Sequence, residues 1–271
     1  MGYRNDGSVH YSGIKNEGKV VDFLKINPVY GMGEVIPRGG TKYKQDLEVN
    51  HGDETTLISV KKKTKLTKGS FDYINTTKID EDLKKPFEEL FSEIKILRNE
   101  TEEKRNQIKE SIRDRFNSIS SETLDGLEGS VLLDFINTNV IEKNIDMKMW
   151  VVDSENKKHL LYDFISSPLY TLLENGYVPF IKQVNKIQTS RKIFFKKGDD
   201  VLDIGLRVRL VTNNGIGAML GLSKSNKNSS LTLKIQQDKV HNLISEIKKE
   251  GNLVEYNFWY NTFRVGFIQG W

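Results

Sequence analysis

Asp46, Ser59 and Lys61 are the residues of this chain whose types and spacing best suit a reaction. Hydrolysis of a phosphodiester needs a bound metal ion, an activated water and stabilisation of the charge developing on phosphate. A carboxylate at a strand end, a second ligand on the neighbouring strand and a lysine two residues later can supply these. The intervening sequence has a form that brings them together. Tyr43 to Val49 (YKQDLEV) and Thr55 to Lys61 (TTLISVK) read as strands, and the short Asn50-His51-Gly52-Asp53 segment suits an antiparallel hairpin. With a period of two, Leu47 and Val49 face one side and Asp46 the other. On the second strand Ile58 and Val60 form the apolar side, leaving Ser59 and Lys61 together on the opposite face. Ser59 stands where an acid would be the stronger metal ligand, and any hairpin with a polar face can give such a trio by chance.

Residues 12 to 26 have helical periodicity, with Ser12 as N-cap and Pro28 beyond the end. Ile14, Glu17, Val21 and Leu24 fall at spacings of three, four and three, so they share one face. Glu17 thus joins an apolar stripe, where a carboxylate needs a partner or a metal. A place at the stripe's edge beside Lys15 or Lys19 is the plainer account. Lys61, Lys62, Lys63, Lys65 and Lys68 fall within eight residues, close to Ser70. Such a run is ordinarily a solvated face, and phosphate contact is the better account only beside a nuclease-like site. His10, His51, His159 and His241 show no metal-ligand spacing, and with no cysteine there is neither thiolate site nor disulfide. Gly215, Gly217 and Gly221 lack a strand-then-helix context and read as flexibility.

Behind these residues the pattern is that of an α/β chain. Arg38-Gly39-Gly40 reads as a turn, and Asp82 to Asn117 as a charged helix with Phe87, Leu90, Phe91, Ile94 and Leu97 as its stripe and Pro86 in its first turn. A further helix is expected near Ser121 to Ile136, strands at Met147 to Val152 and Leu160 to Ile165, and a short helix near Leu169 to Glu174. Lys192 to Phe195, Val201 to Val211 and Leu231 to Ile235 read as strands, with Asn213 to Ser230 as a loop between the latter two. Asp238 to Lys249 reads as a helix, and Tyr256 to Trp271 is unusually aromatic.

The 271 residues suffice for one large domain or two small ones, and 37% hydrophobic with 29% charged residues is a globular composition. The net charge of +4 is too small to argue for a polyanionic partner by itself. No stretch approaches the ~20 apolar residues of a membrane span. The first residues, MGYRNDGSVHYSG, hold no apolar run of the secretory kind, so a cytoplasmic protein is expected.

Taken with their surroundings, these residues resemble the MspI- and HinP-type restriction endonucleases of the PD-(D/E)XK superfamily. Ser12-Gly13-Ile14-Lys15-Asn16-Glu17 resembles the first-helix motif, and Gly39-Gly40-Thr41 followed by Asp46 the turn and strand with the metal-binding acid. Ile58-Ser59-Val60-Lys61 resembles the family's strand in which a neutral residue replaces the usual second acid. Arg207 to Val211, the Lys224-to-Asn228 loop and Leu231 to Lys234 resemble the segments that enter the major groove. The resemblance covers about a third of the chain, in two separated blocks.

It implies a single domain with a mixed central β-sheet flanked by α-helices. Residues 1–80 would carry the catalytic elements, 81–175 a mostly helical middle and 192–271 a strand-rich recognition half. It further implies Mg2+ (or Mn2+) on Asp46 and Ser59, Lys61 acting on the attacking water, and Glu17 in support. Lys62, Lys63, Lys65, Lys68 and Ser70 would contact the backbone, and Lys224, Asn226, Asn228, Thr232 and Lys234 the bases. The partner would be double-stranded DNA, cut at a short, four-base palindrome by a monomer or homodimer, with a separate DNA methyltransferase as companion. A phage or repair nuclease of the same superfamily and a nuclease-like DNA-binding module without catalysis are the alternatives, the latter favoured by Ser59.

Overall fold

The elements follow the alternation of apolar and polar residues along the chain. In a computed structural model they are, in order, α1 (Ser8–Ile26), β1 (Glu34–Pro37), β2 (Leu47–His51), β3 (Glu54–Lys63), β4 (Phe71–Thr76), α2 (Glu81–Lys84), α3 (Glu88–Leu97), α4 (Glu102–Asp125) and α5 (Gly129–Ile136). There follow β5 (Met147–Asp153), β6 (Lys158–Tyr162), α6 (Ser167–Glu174), β7 (Val178–Lys182), β8 (Ser190–Lys197), β9 (Asp200–Thr212), α7 (Gly215–Met219), β10 (Leu231–Gln237), β11 (Leu253–Asn257) and β12 (Gly266–Phe267). The structure describes residues 8–27, 29, 33–38, 45–63, 71–144, 147–153, 156–162, 167–184, 186–222, 230–237, 253–257 and 266–267. The protein is mixed α/β, with two β-sheets flanked by helices. Among the described residues no helix is long and apolar enough to cross a membrane.

Packing divides the chain into two compact units, Met1–Phe71 with Ile141–Thr171 and Asp238–Trp271, and Asp72–Val140 with Leu172–Gln237. One central sheet is the sequence expectation; instead there are two sheets. The physical reason lies in the connection between the parallel neighbours β3 and β5, which holds enough chain to build β4 and four helices before it returns.

The first unit holds the seven-stranded sheet, ordered β1-β2-β3-β5-β6-β11-β12. Only β3 and β5 pair in parallel among its registers; the rest are antiparallel. β5, with sequence MKMWVVD, is buried at all positions but one, as a strand covered on both faces must be. The hairpin from β2 to β3 forms as its alternation implies, with His51 opposite Glu54 and Gly52-Asp53 as its loop. Gly52 takes the positive φ of 61° that a tight loop of this kind demands. At Gly33 a Cβ would stand 2.1 Å from the Asn50 carbonyl oxygen, so only glycine fits beside β2.

Helix α1 lies on the apolar face of this sheet, packing Val20, Val21 and Leu24 against Ile58, Val60 and Trp150. It starts at Ser8, so Ser12 is inside the helix and not its N-cap. Ile14 is 50% exposed, whereas Asn16 is buried, so the true stripe is Asn16, Val20, Val21 and Leu24. The i, i+4 step from Asn16 to Val20 sets this stripe, and Glu17 rides half-buried beside it.

In the second unit the order is β4-β10-β9-β8-β7, with β7 to β10 paired antiparallel. Helix α4 packs on β8 and β9. Arg191 of β8 is buried there, its Nε 2.6 Å from Asp125 Oδ1 and its Nη2 donating to Ser121 Oγ (2.5 Å) and Asp125 Oδ2 (2.8 Å) on α4. The expected helix from Asp82 to Asn117 is broken instead into α2, a 3-10 turn over Lys85–Phe87 that contains Pro86, α3 and α4. Thr101 restarts it, accepting the Lys104 amide at 3.3 Å as the N-cap of α4. The stretch from Ser121 to Ile136 is likewise divided, between the end of α4 and α5. Gly215–Met219 is the short helix α7 rather than flexible loop. The helix expected at Asp238 to Lys249 lies outside the described residues.

Candidate active site

Asp46 occupies the bend just before β2, fixed by its neighbours on both sides. Its amide donates to the Ile58 carbonyl at 2.9 Å, and its carbonyl accepts the Arg38 amide at 2.8 Å. The carboxylate is therefore aimed across the hairpin. Oδ2 accepts from Ser59 Oγ at 3.0 Å and from the Val60 amide at 2.6 Å, with Lys61 Nζ 3.8 Å away. The period-two expectation thus brings Asp46, Ser59 and Lys61 together on one face of the sheet, opposite to Ile58 and Val60. Ser59 is buried, while Lys61 and Asp46 keep side-chain exposures of 26% and 22%, enough for a ligand to reach them.

Two further acids lie on this face without having been singled out in the sequence. Glu48 stands opposite Leu57, two residues along β2 from Asp46. It accepts from Arg38 Nε at 2.8 Å and Gln45 Nε2 at 2.6 Å, and the Arg38 hydrogen bond chiefly holds its carboxyl below the usual carboxylate range. The same alternation that selects Asp46 selects Glu48, but its partner Arg38 comes from β1's far end and is invisible to periodicity. Asp153 ends β5 opposite Lys63 and is buried. Its carboxylate accepts the Asn156 amide at 3.1 Å and Asn156 Nδ2 at 2.8 Å, closing the turn into β6.

The donor set can be tested against a magnesium ion. The contacts to Asp46 fall on Oδ2, leaving Oδ1 as the open edge of the carboxylate. Among the described residues no group of three or more His, Cys, Asp or Glu is placed to hold an ion. Magnesium does not require such a cage, because it commonly keeps several waters and binds through one or two carboxylates plus substrate phosphates. Asp46 Oδ1, with a phosphate oxygen and water, fits that mode. Ser59 donates its proton to Asp46 Oδ2 and so orients the carboxylate, while its oxygen keeps lone pairs for a water or an ion.

The remaining site residues fall into three groups. Glu17 is half-buried on α1, the helix that packs on the Ile58 and Val60 face of the sheet. Lys62 and Lys63 extend β3 beside Val152 and Asp153. Their side chains, and all of Lys65, Lys68, Ser70, Lys224, Asn226 and Asn228, lie outside the described residues. Lys234 is half-buried on β10 opposite Arg209. Thr232 departs from expectation: it is 1% exposed and donates its hydroxyl to Asn213 Oδ1 at 2.5 Å, which leaves it unable to meet a base.

His159, which sequence spacing left without a role, sits under α1 on the sheet's other face. Its Nδ1 accepts from Trp150 Nε1 at 2.7 Å, and the Phe23 ring lies 4.5 Å away, centroid to centroid. Burial, aided by Lys19, pushes its pKa down to about 4, so it is a neutral core residue at physiological pH. Comparison with protein-family models, with curated proteins and with solved structures finds no match for this chain.

Proposed function

We propose that this protein is a magnesium-dependent endonuclease that cleaves double-stranded DNA at a short sequence, with a restriction-endonuclease-like sheet as its catalytic scaffold. The observation that carries the reading is the Asp46 carboxylate, held by Ser59 and Val60 of the next strand, with Lys61 Nζ 3.8 Å away. Magnesium, which manganese can replace, supplies Lewis-acid polarisation of the phosphate and a more acidic bound water. Asp46 Oδ1 would hold it. Ser59 Oγ and the Val60 amide fix the plane of that carboxylate. Lys61 Nζ positions the attacking water and offsets the charge that develops on the phosphate oxygens. The basic stretch from Lys62 to Lys68 supplies sequence-independent contacts to the backbone.

Unmethylated plasmid and phage DNA, incubated in magnesium with the full-length protein and separately with Lys61→Ala, test this. Discrete fragments whose ends share one short motif, absent with the variant, are the expected result. Ser59 in place of an acid favours a second reading, a DNA-binding module without catalysis. Binding without cleavage in either magnesium or manganese would establish it in place of the enzyme.

A further inference from the structure

The five-stranded sheet has two unlike faces. One is packed under α4: Arg191, Ile193 and Phe195 of β8 point into it and are buried, and Arg191 is tied to Asp125 and Ser121. Alternation sends Lys192 and Phe194 to the opposite face, where they are only half-buried. Directly opposed residues share a face, so the registers extend it across four strands. Lys182 pairs with Lys192, Lys192 with Arg207, and Arg207 with Gln236; in the next row Arg209 pairs with Lys234. With adjacent strands ~4.8 Å apart, the first row spans about 14 Å. Phe180 pairs with Phe194, and their rings stack at 5.5 Å with 24° between planes. Lys192 Nζ and Lys196 Nζ each lie 5.8 Å from one of these ring centroids, Phe194 and Phe180 respectively. Asp203 lies 2.7 Å from Lys192 Nζ and pairs with it.

We propose that this face binds single-stranded DNA, stacking unpaired bases on Phe180 and Phe194 and holding the phosphates with Lys182, Arg207, Arg209 and Lys234. The charge is complementary to a phosphodiester backbone, and the rings decide between strand states. In a duplex the base faces are occupied by their neighbours, so rings set between rows of cations in a sheet can engage only bases that are already unstacked. Cations bordering aromatic rings on a broad sheet are the two parts such recognition uses. None of these residues belongs to the Asp46 site, so the inference stands or falls apart from cleavage.

The test is fluorescence anisotropy of a labelled 20-residue oligothymidylate with the full chain in EDTA, so that cleavage does not intrude. Phe180→Leu and Phe194→Leu keep an apolar side chain on the sheet, and far-UV circular dichroism checks that they fold. Each is expected to weaken binding ~5-fold or more, since stacking on an aromatic ring is worth ~5- to 150-fold per base. Lys234→Gln is expected to reduce the slope of log K against log salt by ~0.7, one phosphate contact on a single strand. Duplex of the same length should bind at least about tenfold more weakly to this face, measured as the part of its binding lost in the leucine variants. The proposal is overturned if oligothymidylate fails to bind, or if folded leucine variants bind it as the wild type does. Loss of duplex binding equal to loss of single-strand binding in those variants also overturns it, as does about tenfold tighter binding of the matching RNA.

Discussion

Acid should destabilise the seven-stranded unit through His159. The imidazole is 1% exposed, and its pKa falls from 6.5 to about 4 because burial disfavours its charged form, with Lys19 adding repulsion. In the folded protein Nδ1 accepts from Trp150, so protonation there also removes a buried hydrogen bond. Between the two pKa values the unfolded chain binds the proton and the folded chain does not. Stability therefore rises with pH across this window, is fully present above about 6.5, and is lost progressively as pH falls toward 4. A gap of this size corresponds to about 3 kcal/mol at ~1.36 kcal/mol per pKa unit. Carboxylates titrate in the same range, so the measurement is a difference. Urea unfolding of the wild type and of His159→Gln, whose amide oxygen can still accept from Trp150, is followed by tryptophan fluorescence from neutral pH down to pH 4. The wild type should lose about 3 kcal/mol relative to the variant over that range. A stability difference independent of pH would refute the argument, since it would mean that His159 charges as readily folded as unfolded.

Lys61→Ala should lower cleavage of plasmid DNA by ~100-fold or more, with binding to the same DNA in calcium or EDTA nearly unchanged. Asp46→Ala should remove cleavage as well, and it should also destabilise the fold by about 1–3 kcal/mol in urea titrations, because the buried Ser59 hydroxyl and Val60 amide lose their acceptor. Asp46→Asn keeps an oxygen for those donors, so it should recover most of that stability while remaining inactive; equal loss in both variants would show that the hydrogen bonds to Oδ2 do not matter. In the second unit, Asp125→Ala strips the buried Arg191 guanidinium of its carboxylate and should cost about 2 kcal/mol, moderated by the half-exposed position of Asp125. Because the Arg191 hydrogen bond holds the Asp125 carboxyl below its ordinary range, that contribution is present at neutral pH and lost as pH falls through the lowered pKa.

The hairpin was legible because it is governed by short-range rules. Period two fixes which side chains share a face, and Gly52 supplies the turn, so the meeting of Asp46, Ser59 and Lys61 could be read from residue types alone. Strands with weaker signals were not legible. β1 is four residues ending in Pro37, tolerable because it is an edge strand; β7 carries Pro179 at an edge of the five-stranded sheet; β4 follows directly on the basic stretch. Pairing between distant strands was not legible either. Nothing in the periodicity of β8, β9 and β10 says that they form a sheet of their own rather than joining β3 and β5. Thr232 shows the same limit at one residue. Its alternation with Lys234 is right, but burial under the Asn213 side chain is set by a neighbour on β9's end, not by its own strand.

Ser59 changes more than a count of ligands. It donates to Asp46 Oδ2 beside the Val60 amide, so two donors hold one oxygen and turn the other edge of the carboxylate outward. The Asp46 carboxylate brings one negative charge, and Lys61 Nζ lies 3.8 Å from it. Two acids in the same place would attract an ion more strongly but would also repel the approaching phosphate. With Asp46 paired to Lys61 and Glu48 to Arg38, neither pair carries net charge to repel a polyanion, and on the proposed reading an ion on Oδ1 would stay weakly held until phosphate oxygens complete its ligand set. On the proposed reading, metal and DNA therefore strengthen each other's binding, and by linkage the factor is the same in both directions. On that reading the neutral residue at position 59 would shift the work of holding the ion from the protein to the substrate, while keeping the carboxylate on which the proposed chemistry depends.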